Sequence, residues 1–232
     1  MHIPDGYLSP STCLTLGVVM LPIWYKASAK LKKDLAVKQV PLLSMGAVFC
    51  FLIMMFNVPI PNGTTAHAIG ATLVAIIFGP WAAVIAMSVA LAIQAVVFAD
   101  GGILAFGANT FNMAFVAPFV GFYVYQFISK NAKQGSNRQL AAGAIASYVG
   151  INCAAFVASI EFGLQPLLFT AIDGTSLYCP YGLDVAIPAM MVAHLTVAGF
   201  IEGIVTVAAL KFMAVQPAIM LPSQTNKNRE AV

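Results

Sequence analysis

The chain opens Met1-His2, and a free amino terminus of that composition is a chelator. The α-amine, the His2 main-chain nitrogen once deprotonated, and His2 Nδ1 close two fused chelate rings in one plane. Only a metal with a strong in-plane preference displaces an amide proton, so such a nitrogen set selects Ni(II) or Cu(II) among first-row metals. Mg²⁺ and Ca²⁺ take oxygen ligands and are poor candidates. The chemistry requires that Met1 be retained with its amine free. His2 is too large to favour removal of the initiator methionine, and the start lacks both a basic n-region and an A-x-A-like cleavage site. A mature chain beginning Met-His is therefore expected.

A fourth in-plane donor can be sought in the other two histidines, His67 and His194. His67 follows the loop Asn57-Val58-Pro59-Ile60-Pro61-Asn62-Gly63-Thr64-Thr65, whereas His194 falls two turns into the last apolar run. A terminal histidine is ordinarily solvated and one at a loop edge is ordinarily a polar cap, so the pair alone is a weak signal. It gains weight from Pro4-Asp5-Gly6, a turn sequence able to fold the first residues back toward the rest of the chain. The plain reading of His194 is a hydrogen-bonded histidine inside a helix bundle.

The elements that position these residues must be membrane helices. Of 232 residues, 60% are hydrophobic and 8% are charged, against roughly 25% charged in a soluble domain. That balance excludes a soluble enzyme, a disordered protein and a nucleic-acid binder. The four cysteines include no CxxC pair and give no disulfide or zinc framework. A spanning helix needs about 20 mainly apolar residues, and that measure predicts an all-α bundle of seven transmembrane helices. They are expected at 11–25, 40–56, 68–78, 81–99, 104–128, 140–162 and 185–213. As one domain, 1–232, the chain divides into a metal-binding amino-terminal segment (1–10), a first span (11–25), a six-helix core (40–213) and a cytoplasmic tail (214–232).

Charge sets the expected orientation. The eleven Lys and Arg fall in three clusters: Lys26 to Lys38, Lys130 to Arg138, and Lys211 with Lys227 and Arg229. With seven spans all lie on one side, which the positive-inside rule makes cytoplasmic. The amino terminus is then outside and the carboxyl terminus inside. The outer segments carry Asp5, Asp100, Glu161, Asp173 and Asp184 with no Lys or Arg, a side suited to meeting a cation.

Polar residues inside apolar runs are costly and should face the bundle interior. Gln94, Asn109, Asn112 and Asn152 are of this kind. Interhelical hydrogen bonding is the usual role. The sharper expectation is that Gln94, Asn109 and Asn112, toward the outer halves of their helices, orient the metal ligands. Glu202, eight residues after His194, is either an interhelical acceptor or a proton site. Small residues recur at every fourth position in Ala142, Ala146, Gly150, Ala154 and Ala158, and again in Ala82, Ala86 and Ala90; they allow close helix packing. No Walker A, HExxH, GxSxG or GxGxxG sequence is present. The chain is therefore expected to be no enzyme and to hydrolyse no ATP.

The opening Met1-His2-Ile3-Pro4-Asp5-Gly6-Tyr7-Leu8-Ser9 resembles that of the CbiM/NikM family, the substrate-binding S components of cobalt and nickel energy-coupling factor transporters. Phe98-Ala99-Asp100-Gly101-Gly102-Ile103 with Gly107-Ala108-Asn109-Thr110-Phe111-Asn112-Met113-Ala114 is similar to the family's central motif, and Gly199-Phe200-Ile201-Glu202-Gly203 to its final-helix motif. The resemblance implies that Met1 through its amine, His2 through main-chain nitrogen and ring, and His67 through its ring hold Ni²⁺ or Co²⁺ as transported ligand, with no cofactor. It also implies a membrane coupling T component, two cytoplasmic ABC-type ATPases, often a small accessory membrane subunit, and a place in a prokaryotic cytoplasmic membrane. The stretch after Met213 is too short to be a fused small subunit. Planar nitrogen geometry favours nickel over cobalt. The alternative reading is a stand-alone secondary cation transporter or channel with Glu202 and His194 as its path.

Overall fold

The computed structural model describes residues 1–60 and 64–215. The first helix, α1 (Pro10–Asp34), starts where local chemistry says it should: Ser9 Oγ accepts from the Thr12 amide at 3.1 Å, and Pro10 occupies the first position, where a missing N–H costs nothing. Lys32 and Lys33 in its last turn complement the helix dipole. A 3₁₀ turn leads into α2 (Val40–Met54). A short antiparallel hairpin follows, β1 (Val58–Ile60) paired with β2 (Thr64–Ala66), Val58 opposite Ala66. Next come α3 (Ala71–Phe78), α4 (Pro80–Val97), α5 (Phe106–Ser129), α6 (Asn137–Leu168) and α7 (Leu183–Val215). Two helices carry wider π-type turns, Phe111–Val116 in α5 and His194–Ala198 in α7.

Among the described residues six helices are long and apolar enough to cross a membrane: α1, α2, α4, α5, α6 and α7. The expected third span, 68–78, contains only the eight-residue α3. Its amino-terminal part, Ala68–Gly70, is, like His67 before it, buried chain outside any helix, ended by Gly70 at φ +70. The expected tail, 214–232, lies outside the described residues from 216 onward.

The small-residue ridges pack inward. Ala142, Ala146, Ala154 and Ala158 are fully buried, as is most of the α4 ridge, so α6 lies closely between α5 and α7. Outward faces of α1 and α2 expose Leu14, Val18, Leu21, Val48 and Leu52, residues that suit hydrocarbon rather than water.

The two ends of the bundle differ in charge. Lys26 lies 4.8 Å over the Trp81 ring, so the end of α1 meets the α3–α4 junction. Leu73, Ile76, Tyr125, Ala142 and Leu210 share one cluster, which brings together the ends of α3, α5 and α7 and the start of α6. Every described Lys and Arg belongs to this end. The amino-terminal segment, the hairpin and the loops after α4 and α6 gather at the other: Cys179 N donates to Tyr7 O at 3.0 Å and Ser9 N to Gln165 Oε1 at 2.9 Å.

Candidate metal centre

Residues 1–9 do not fray. Met1 is 1% exposed, His2 5% and Ile3 fully buried. An extended segment placed in a bundle must find partners for its main-chain groups, and the central motif supplies them. Ile3 N donates to Asn109 Oδ1 at 2.8 Å, while Ile3 O accepts from Asn109 Nδ2 at 3.1 Å and Gly102 N at 2.8 Å. The Asn109 amide thus acts as a strand partner would. Asp5 accepts from the main-chain amides of Ile103, Leu104 and Ala105 at 3.1, 2.9 and 3.3 Å. The glycine pair explains the close approach. A Cβ on Gly101 (φ +87) would sit 3.2 Å from His2 Cδ2, and one on Gly102 would collide with Asp5.

His2 is oriented from two sides. Its Nε2 lies 3.2 Å from Gln94 Oε1, and Asp100 Oδ1 stands 3.5 Å from its Nδ1. Asp100 is placed by the end of α4, where Phe98 N and Asp100 N both donate to Gln94 O and Ala99 takes the left-handed conformation at φ 53. That conformation is costly for a residue with a Cβ.

The hairpin brings in the last member. Side chains two apart in extended chain share a face, and Thr65 and His67 are two apart. Thr65 Oγ1 accepts from the Met1 amine at 3.3 Å, and the His67 ring stacks on His2 with centroids 4.6 Å apart. His67 Nδ1 is 3.1 Å from Ala68 O, and a main-chain carbonyl only accepts, so Nδ1 donates. Nε2 is left bare, buried and without a hydrogen-bond partner.

Burial sets the charge state. It pulls the Met1 amine from 8.0 down to about 4, with Asp100 opposing. Burial, then the neighbouring Met1 ammonium, lower His2 to about 4 against Asp100 and Gln94. Both groups therefore present neutral nitrogen at pH 7, the form that binds a metal. No cluster of three His, Cys, Asp or Glu side chains able to hold a metal exists among the described residues. The place brings together the Met1 amine, two histidine rings and, beside His2, the Asp100 carboxylate.

Of the residues expected to orient ligands, Gln94 touches His2 and Asn109 holds Ile3. Asn112 does neither: its Nδ2 donates to Glu161 Oε2 at 2.8 Å. His194 is fully buried, its Nδ1 bonded to Met190 O at 2.8 Å. Glu202 accepts from the amides of Ile69 and Gly70. Thr65, Asp5, Gly101 and Gly102 contribute to the site without having been singled out for these contacts. Thr65 was detectable, since it lies two positions before His67.

Residues 2–219 match CbiM, described as the cobalt uptake substrate-specific transmembrane region. A probable fused nickel transport protein, LarMN of Lactiplantibacillus plantarum, is 50% identical over 99% of this chain and 69% of its own length. A fused nickel transport protein, NikMN of Rhodobacter capsulatus, is 52% identical over 92% of this chain and 61% of its own. The chain thus spans about two thirds of the length of these relatives. A crystal structure described as a truncated transition metal transporter is 55% identical, with a TM-score of 0.88 over 92% of this chain and 98% of that one. The match over nearly the whole chain, with six apolar helices of spanning length, makes this a multi-pass membrane protein that belongs to the CbiM/NikM family.

Proposed function

We propose that this chain captures Ni²⁺ at the outer face of the membrane as the substrate-binding S component of an ATP-driven importer. The cargo ion would sit in a planar set of four nitrogens: the Met1 amine, the His2 main-chain nitrogen, His2 Nδ1 and His67 Nε2. One observation carries the reading: two residues at the start of the chain and a ring 65 positions later meet in a buried stack, and the bond from His67 Nδ1 to Ala68 O leaves His67 Nε2 as its ligating nitrogen. Displacing the His2 amide proton favours nickel, and two relatives at about half identity are named for nickel, a third for metal transport alone. The family description names cobalt, which the same nitrogen set would also hold.

The reading includes seven crossings with the amino terminus outside. His67–Ile69, if extended at about 3.3 Å per residue, together with the eight residues of α3 at about 1.5 Å each, would reach roughly 22 Å. The 18 residues of α4 reach about 27 Å. Extended chain and short helix would together make the third crossing, and the basic end of the bundle would be cytoplasmic. Non-helical chain at that depth is tolerable because it is buried in protein.

Energy would come from partners: a membrane coupling T component, two cytoplasmic ATPases and a small accessory membrane subunit. In cells supplied with all of these, radioactive nickel uptake should stop when the ATPases lose their phosphate-binding lysine. Uptake that continues would instead support the stand-alone transporter. Against that alternative, both Glu202 oxygens are occupied by main-chain amides, so the carboxylate is not poised as an open station on an ion path.

A further inference from the structure

His67–Gly70 is the least conventional piece of the bundle. Its residues are buried, with His67 at 2%, Ala68 at 3% and Ile69 at 0% exposure, yet they belong to neither β2 nor α3. Their amides have no ladder to join and no water to meet. An unsatisfied buried amide is costly, so this stretch takes its shape from whatever acceptor lies beside it.

That acceptor is one side chain from the far end of the sequence. Glu202, 1% exposed on α7, receives Ile69 N on Oε2 at 2.6 Å and Gly70 N on Oε1 and Oε2 at 2.9 and 3.1 Å. Hydrogen bonds from amides to a carboxylate are about twice as strong as neutral ones. Gly70 has little freedom to rearrange, because its φ is +70 and a Cβ there would lie 2.7 Å from Phe49 Cε1. The adjoining peptide carries the signal onward: Ala68 O accepts from His67 Nδ1, and that bond turns Nε2 toward ligation.

We propose that Glu202 is a positioning residue of the metal site: by clamping the Ile69–Gly70 turn it fixes the ring and tautomer of His67, and so ties the last helix to the ligand. The inference rests on the nitrogen site proposed above. It assigns Glu202 neither a proton nor the ion. It makes α7 the element through which the His67 side of the site is held.

The test uses the purified full chain, Ni²⁺ alone as probe, and three proteins: wild type, Glu202→Gln and His67→Ala. Glutamine keeps the volume but turns an NH₂ toward an amide donor. The expected result is a nickel affinity lowered roughly 10- to 100-fold, the usual effect of losing a group that orients a ligand. The planar Ni(II) absorption should shift toward that of His67→Ala. Amide hydrogen exchange should quicken at Ile69 and Gly70 and stay unchanged at Ile3, since a general loss of packing would move both. Wild-type affinity and spectrum in Glu202→Gln would overturn the clamp while leaving the site intact. No difference between wild type and His67→Ala would overturn the site itself, and the clamp with it. Exchange in the wild-type protein gives a reading free of any variant: protected Ile69 and Gly70 amides support the clamp, and exchange at the rate of open loops contradicts it.

Discussion

The two limbs of the metal centre are held by different means. Residues 1–5 lie against the Asp100–Asn109 region through an amide side chain, main-chain amides and the carboxylate of Asp5, whose bonds to Ile103 and Leu104 are at the surface. The His67 limb is held from within the bundle by Glu202. Water and salt compete with the Asp5 bonds and cannot reach those made by Glu202. Bonds of the same chemical type should therefore carry different weight in the two limbs, and substitutions can measure the difference.

Removing a ligand should be the largest effect. His2→Ala deletes the ring nitrogen that closes the second chelate ring, and calorimetry should detect no specific nickel binding. Asn109→Ala should follow: it removes both bonds to Ile3, and a loss of about 10- to 100-fold in affinity is expected. If Asn109→Ala binds like wild type, the limb is held by something other than this amide. Asp100→Asn should be milder. The carboxylate is 30% exposed beside His2 Nδ1, and losing its charge should slow nickel association in a salt-dependent way with little change in spectrum. Stopped-flow mixing at two ionic strengths checks this. Asp5→Asn should cost least, about fivefold or less, because its bonds are open to solvent. A cost for Asp5→Asn equal to that of Glu202→Gln would erase the contrast between the limbs.

Proton release sharpens the same comparison. An exposed α-amine with a pKa near 8 is roughly nine-tenths protonated at pH 7, so its metallation would release nearly one proton. Burial brings Met1 and His2 to about 4, which leaves them already neutral. Only the His2 main-chain amide should then give up a proton, so calorimetry at pH 7 in buffers of different ionisation enthalpy should report about one proton per nickel. A value near two would mean that the amine is exposed. The contribution of these two groups to the stability of the metal-free protein has the matching dependence: between pH 4 and 8 they bind protons in the unfolded chain that the folded chain refuses, so their contribution should fall as pH falls through that window, and His2→Ala should flatten that part of the pH profile.

Much of this site was legible in the sequence because its chemistry is local. Met1-His2 is a chelate by composition, and the charge clusters marked which end of the bundle holds it. Gln94 and Asn109 stood out as amides in apolar runs. What escaped depended on backbone shape. The apolar run 68–78 reads as a helix, since hydropathy does not separate a buried helix from buried extended chain; Gly70 and an acceptor 132 residues away decide that its first part is not helical. Asn109 and Asn112 are three apart and should share a face of an α-helix. The π-type turn begins between them, at Phe111, and Asn112 meets Glu161 instead. Glu202 was recognisable as a buried acid in the last helix, but its partners are main-chain amides that no residue-type pattern displays.

The most direct measurement is a nickel titration of the untagged protein, shown by intact mass to begin Met-His, beside a version carrying one extra residue before Met1. The expected result is one ion per chain with a planar Ni(II) absorption band, lost in the extended version because its free amine is displaced and the chelate cannot close. Equal binding with the same band in both versions would contradict a site built on the Met1 amine.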